Sequence, residues 1–207
     1  MKIRRDIIQG TKEWHEKKLG VVTGTVLAGI MGTPAKRQDT LHEIVGERLI
    51  TEIDMEHLYE NPMIRGTRLE PEALEAFEYV TGKKVERVGF IESDESEYMG
   101  YSPDAIVLDC DETEDVEVKC PLVKNYMKIV LSNKVPREYD HQITQAFVVN
   151  PNLQKRYFVA YHPGVTEYPI HIIEITRESI LPQIVKAFTA EKLFLMEVEE
   201  LLQRFNK

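Results

Sequence analysis

The chain has 207 residues, 43% of them hydrophobic, which is enough for one domain with a substantial core and short for two. No apolar run approaches the ~20 residues of a membrane helix, and the basic start Met1-Lys2-Ile3-Arg4-Arg5 leads into no apolar signal segment. A net charge of -9 argues against a protein that coats nucleic acid through bulk charge, and Cys110 and Cys120, with no zinc-spaced partners, point to a reduced, cytoplasmic chain.

In chain order, Thr11 is placed to cap a helix over 11–19 that carries Trp14 and Leu19, with the single tryptophan expected in the core. A second helix is expected from Thr23, with Val26, Leu27 and Ile30 inside and Gly32-Thr33-Pro34 at its end. Lys18, Thr23 and Thr25 fall together near that helix start, where free N–H groups favour phosphate. They form an anion-pocket candidate, although capping by Thr23 and solvation of Lys18 account for the same residues. Residues 34–39, with Lys36 and Arg37, read as an exposed basic loop before an amphipathic helix marked by Leu41, Ile44, Val45, Leu49 and Ile50. Residues 54–61 are acidic and irregular.

A helix over 68–81 places Leu69, Ala73, Phe77 and Val80 on one face, Pro71 in its first turn and Gly82 beyond its end. Glu70 then lies near its start. One strand is expected over 84–91 and another over 98–101, with a turn at 94–97 between them. The apolar runs 105–108 and 116–118 flank an acidic turn and read as a hairpin. After it comes a helix over 122–131 with Lys124 and Lys128 one turn apart, a basic face suited to phosphate contacts. Pro136 opens a further helix to about residue 149, carrying Tyr139, Gln142, Ile143 and Ala146 on one side. Residues 154–161 and 170–175 read as an antiparallel pair, and a long helix from Arg177 closes the chain, with a break expected near Pro182 or Thr189. The whole is an α/β (α+β) pattern, a central mixed β-sheet flanked by helices, in a single domain over 1–207.

The chemistry concentrates at the hairpin. Alternation along its second strand turns Glu117 and Lys119 to one face and Val116 and Val118 to the other, while Asp104 opens the first strand. If the strands pair, two carboxylates and a lysine meet at one end of the sheet. Mg²⁺ takes oxygen ligands in octahedral geometry and keeps several waters, so one or two carboxylates with substrate phosphate oxygens make a working site. A Glu-x-Lys pair alone is also what a solvated strand face looks like.

The sequence Ser102-Pro103-Asp104 … Glu117-Val118-Lys119-Cys120-Pro121 resembles the PD-(D/E)xK nuclease signature. With Cys-Pro after the lysine, it is similar to the phage lambda exonuclease and YqaJ-type viral recombinase family. Gln9-Gly10, Trp14-His15, 19–23, 66–70 and 141–145 match that family's other motifs in its order, over nearly the whole chain.

The resemblance implies a restriction-endonuclease-like core and a Mg²⁺-dependent 5′-to-3′ exonuclease on double-stranded DNA ends, with Mn²⁺ substituting. Asp104, Glu117 and the Val118 carbonyl would hold metal, Lys119 would assist the water, and Glu70 and Gln142 would complete the site. Lys18, Thr23, Thr25 and Ser102 would bind substrate, and Met63 falls where the family places an apolar wedge. The family has arginine at the position of Lys18 and serine at that of Thr25; lysine keeps the charge and loses the bidentate fork. Asp94 matches a further acidic position, which turn formation explains equally well. The resemblance further implies a homotrimeric ring, a single-strand annealing protein as partner, no membrane, and a phage or prophage protein in a bacterial cytoplasm. An endonuclease on the same core and a noncatalytic DNA-end-binding module are the alternatives; without four cysteines an iron–sulfur nuclease is disfavoured.

Overall fold

The computed structural model of the protein describes residues 1–49, 64–108 and 110–205. Strands β1 (Lys2–Arg4), β3 (Phe90–Glu92) and β4 (Gly100–Tyr101) form a small antiparallel sheet. Strands β2 (Val85–Glu86), β5 (Ala105–Val107), β6 (Glu114–Lys119), β7 (Lys155–Tyr161) and β8 (Ile170–Thr176) form a larger one in the order β2-β5-β6-β7-β8. Only β6 and β7 run parallel in it, so the sheet is mixed. The helices are α1 (Lys12–Lys18), α2 (Gly24–Ile30), α3 (Pro34–Leu49), α4 (Ile64–Thr81), α5 (Val123–Ser132), α6 (Asp140–Val149) and α7 (Leu181–Leu202). A parallel pair needs a crossover, and α5 and α6 provide it between β6 and β7.

The expected hairpin forms, with Ala105 opposite Val116. Its alternation decides the layers. Val116 and Val118 pack with Ala73, Phe77, Tyr157 and Val159, so α4 covers one face of the sheet. On the other face Ile106, Phe158 and Ala160 join Ile143, Phe147 and Ile184, which brings α6 and α7 down onto it. A third cluster, Ile30, Leu41, Ile44, Phe194 and Val198, joins α2 and α3 to α7. Each such side chain contributes about 1.5–3 kcal/mol on burial.

Several elements differ from expectation for identifiable reasons. The basic segment 34–39 is not a loop: α3 starts at Pro34, where a missing N–H costs nothing, and Thr33 Oγ1 accepts the Lys36 N–H at 3.3 Å. Arg37 is held by Glu197 at 2.7 Å rather than left for solvent. Helix α4 begins at Ile64, which puts Pro71 inside it, and Val80 is exposed while Leu74 takes the buried place. The strand over 84–91 splits into β2 and β3 in different sheets, because the chain crosses Ile7 at Gly89, where a Cβ would lie 2.0 Å from the Ile7 carbonyl oxygen. A short 3₁₀ turn, Arg137–Tyr139, precedes α6, and α7 runs unbroken for 22 residues with Pro182 in its first turn. Cys110 and Cys120 are not joined in a disulfide.

Candidate active site

Asp104 leads into β5, where its N–H donates to the Val116 carbonyl at 3.1 Å and its Oδ2 accepts the Val118 N–H at 2.6 Å. On the same face of β6, Glu117 is 5% exposed and receives hydrogen bonds from Lys119 and from Arg156. Arg156 stands opposite Asp115 in the parallel register of β6 and β7 and also donates to it at 3.1 Å. At 1% exposure, Arg156 is a counterion buried beneath the carboxylates.

Burial pushes the Asp104 carboxyl up to about 8, and the neighbouring Glu117 charge adds to the effect. Burial acts on Glu117 in the same direction, but Lys119 and Arg156 together outweigh it and hold Glu117 below its ordinary value. The negative charge of the pair therefore resides on Glu117. For Lys119, burial is outweighed by Glu117 and Asp104, so its ammonium is held up to about 12. Asp115 is pushed up to about 6 by burial against the pull of Arg156.

The anion-binding candidates come from α1 and the turn into α2. Thr11 Oγ1 accepts the Trp14 N–H at 3.4 Å and starts α1, which carries Trp14 and Lys18 one turn apart. Lys18 Nζ lies 3.8 Å from the Trp14 ring centroid, and burial brings its ammonium down to about 8. Trp14 Nε1 donates to Ser102 Oγ at 2.9 Å and to the Gly89 carbonyl at 3.2 Å. Thr23 precedes α2 with no side-chain capping bond, so capping does not explain its hydroxyl. The glycine at 24 is required by packing: a Cβ there would lie 2.8 Å from the Gln142 Cα.

Asp104, Glu117, Lys119 and Gln142 line a cavity of about 300 Å³, and Lys18, Thr23, Thr25 and Ser102 line the same one. Gln142 Oε1 is buried without a partner. Glu70 is not at its wall; its carboxylate is ion-paired with Arg87, although its charge still raises Asp104. The Val118 side chain faces the opposite core, while its main chain lies on the edge where Asp104 takes its N–H. Met63 lies outside the described residues. Asp94 sits exposed in its turn beside the Met1 amino group.

Trp14 is the clearest correction, since it lines the cavity and cradles Lys18 instead of joining the core. Sequence reading also missed Arg156 and Asp115, and Tyr101, which lines the same cavity. An arginine leading the otherwise apolar run Tyr157 to Ala160 was the available signal for the first.

Among the described residues no three His, Cys, Asp or Glu side chains gather as metal ligands. The oxygen donors that do converge are the Asp104 and Glu117 carboxylates, beside the main chain of Val118. Hard oxygens, few in number, in a cavity open to further ligands suit Mg²⁺ rather than a closed transition-metal site.

The sequence profile of the YqaJ-like viral recombinase domain matches residues 13–151. Among solved structures, the alkaline exonuclease LHK-Exo from Laribacter hongkongensis aligns with 29% identity and a TM-score of 0.77, covering 95% of this chain and 96% of that one. The same protein in complex with dAMP aligns with 28% identity and a TM-score of 0.75, covering 95% and 98%. A phage related exonuclease from Haemophilus somnus 129PT, at 13% identity and a TM-score of 0.57 over 89% of this chain and 96% of that one, shares the fold alone. No significant match is found among curated protein sequences. With the profile covering most of its length and the fold aligning with an exonuclease over 95% of the chain, the chain belongs to the YqaJ-like viral recombinase family and is a nuclease.

Proposed function

We propose that the protein is a Mg²⁺-dependent exonuclease that removes nucleotides from the 5′ ends of double-stranded DNA and leaves 3′ single strands. The observation that carries this reading is one cavity lined both by Asp104, Glu117 and Lys119 and by Lys18, Thr23, Thr25 and Ser102. An end-acting enzyme needs its reacting centre and its terminal-phosphate contacts within one nucleotide of each other, and a shared cavity meets that need. The dAMP bound to LHK-Exo is a mononucleotide and accords with release of single nucleotides.

Asp104, Glu117 and the Val118 carbonyl would hold Mg²⁺, with Mn²⁺ as a substitute. When bound, the ion supplies Lewis-acid stabilisation of the phosphodiester oxygens. Lys119, kept protonated by its carboxylate neighbours, donates to the developing negative charge and orients the attacking water. Gln142 offers its unpartnered Oε1 to that water. Glu70 would complete the site on release from Arg87. Lys18, Thr23, Thr25 and Ser102 would take the 5′-phosphate, with Trp14 holding Lys18 in place.

By family resemblance the protein assembles as a homotrimeric ring, hands its product to a single-strand annealing protein, and works in the cytoplasm of a bacterium carrying the phage or prophage. No described helix is long and apolar enough to cross a membrane. The test is a time course on linear duplexes labelled separately at each 5′ and 3′ end, with and without Mg²⁺, beside a covalently closed circle. Early loss of 5′ label with Mg²⁺ only is expected; cutting of the circle would assign an endonuclease instead. Persistent inactivity with both Mg²⁺ and Mn²⁺ would assign a noncatalytic end-binding module.

A further inference from the structure

We propose that the cleft between α5 and the segment 133–139 is a track for backbone phosphates of the DNA strand that enters the active site. From Val118 to Arg137 the chain carries Lys119, Lys124, Lys128, Lys134 and Arg137 and no aspartate or glutamate, in a protein with 35 acidic and 26 basic residues. Such a run in an acidic chain is a local concentration of charge, the pattern that directs an anionic polymer to one surface.

The fold gathers these cations. Lys128, Lys134 and Arg137 line a cleft of about 340 Å³ with Asn125 and Tyr139, and Glu138 is the one acidic residue at its wall. All three cations are exposed. Several arginines and lysines elsewhere are neutralised: Arg4 by Asp6, Arg5 by Glu86, Arg37 by Glu197, Lys84 by Glu78, Lys155 by Glu174. Among the described residues, no carboxylate lies within ion-pair distance of Lys128, Lys134 or Arg137. What sets these three apart is that they stand open beside one another on a single cleft, where a counter-charge can be received by all of them.

The cleft adjoins the site. Lys119 lines the active-site cavity, and its Nζ lies 5.3 Å from the ring centroid of Tyr139, which lines the cleft. A strand whose phosphodiester sits at Lys119 therefore meets these cations within the next nucleotides. That continuity with phosphodiester chemistry favours nucleic acid over an acidic protein as occupant. The strand's identity rests on the exonuclease reading; the phosphate track itself does not.

The test replaces Lys128, Lys134 and Arg137 together by alanine in the full chain. Their exposure predicts an unchanged melting temperature. Affinity for a 5′-phosphorylated duplex oligonucleotide is measured without Mg²⁺ across a salt series, with polyglutamate as a second ligand. The slope of log K against log salt is expected to fall by about 1 for each cation removed. KM on long duplexes should rise roughly tenfold over the same change, with kcat and the hydrolysis of a 5′-phosphorylated dinucleotide unaltered. An unchanged salt slope overturns the proposal, as does an equal loss of affinity for polyglutamate. A wild-type protein that shows the full slope and loses it in the variant, yet releases no nucleotide, upholds the track while removing the exonuclease reading.

Discussion

The Val118 N–H is held by Asp104 Oδ2 at 2.6 Å, so the entrance of β5 is fastened to the end of β6 by one of the two candidate metal carboxylates. Asp104 thus has two tasks for its side chain, shaping the strand ends and facing the cavity, whereas the Lys119 side chain faces the cavity and bonds Glu117.

That difference separates two substitutions. Lys119→Ala is expected to reduce nucleotide release roughly 10²–10³-fold with DNA affinity little changed, as for loss of one stabilising donor. Asp104→Ala should reduce release at least as far and in addition weaken Mg²⁺ binding at least about tenfold, read by calorimetric titration. Turnover like that of the wild type in either variant would remove these residues from the chemistry.

Lys18 gives a pH signature. Burial brings its ammonium down to about 8, so the charge is present below that pH and lost above it. The preference for phosphorylated over hydroxyl 5′ ends, as a ratio of kcat/KM, should decline as pH rises through 8. Lys18→Arg should keep the ratio flat, since guanidinium stays charged, and Lys18→Ala should bring it to about one, the loss of a charge-assisted contact. A ratio indifferent to all three would place the phosphate elsewhere.

Arg156 is the structural keystone of the carboxylate face. Arg156→Met leaves Asp115 buried without its counterion and Glu117 with Lys119 alone, and is expected to cost about 3–5 kcal/mol in denaturant unfolding. Adding Asp115→Asn to Arg156→Met should recover part of the loss, because the stranded charge rather than the missing bond carries most of it. A cost within experimental error would mean that the carboxylates are not dependent on this residue.

The hairpin and the candidate trio were legible because strand alternation brings those residues together locally, whereas Gln142 and Ser102 on the cavity wall came from the family resemblance. Asp104, Glu117 and Lys119 are fixed by one turn, and Lys18 by one turn of α1. What was not legible depends on contacts distant in sequence. Arg156 is recognisable as a counterion only once β7 is known to run parallel beside β6. Trp14 reads as core by composition, and its role follows from Ser102 and Gly89 arriving at its indole N–H. The splitting of the strand over 84–91 depends on Ile7, more than seventy positions away.

Glu191 is another residue that only packing reveals. It is fully buried in α7, bonded by Gln145 Nε2 at 3.3 Å, and burial pushes its carboxyl from 4.5 up to about 8. The folded chain keeps this proton while the unfolded chain releases it above pH 4.5, so stability should fall as pH rises from 4.5 to 8 and then level off. Glu191→Gln removes that contribution, and its gain over wild type should grow from about 1 kcal/mol at pH 5 to about 4 kcal/mol at pH 8. Parallel pH–stability curves for the two proteins would show the carboxyl to be ionised in the fold.

The meeting of Gly24 with the backbone of Gln142 sets a gauge. Two walls of the cavity touch through main chain, so its width there is fixed by the thickness of a bare polypeptide and cannot be trimmed further by mutation. Selection can only widen it, by inserting a methyl group that levers α2 from α6. Tolerance for a bulkier occupant of the cavity is therefore one substitution away, at the cost of the fit between the residues on either side.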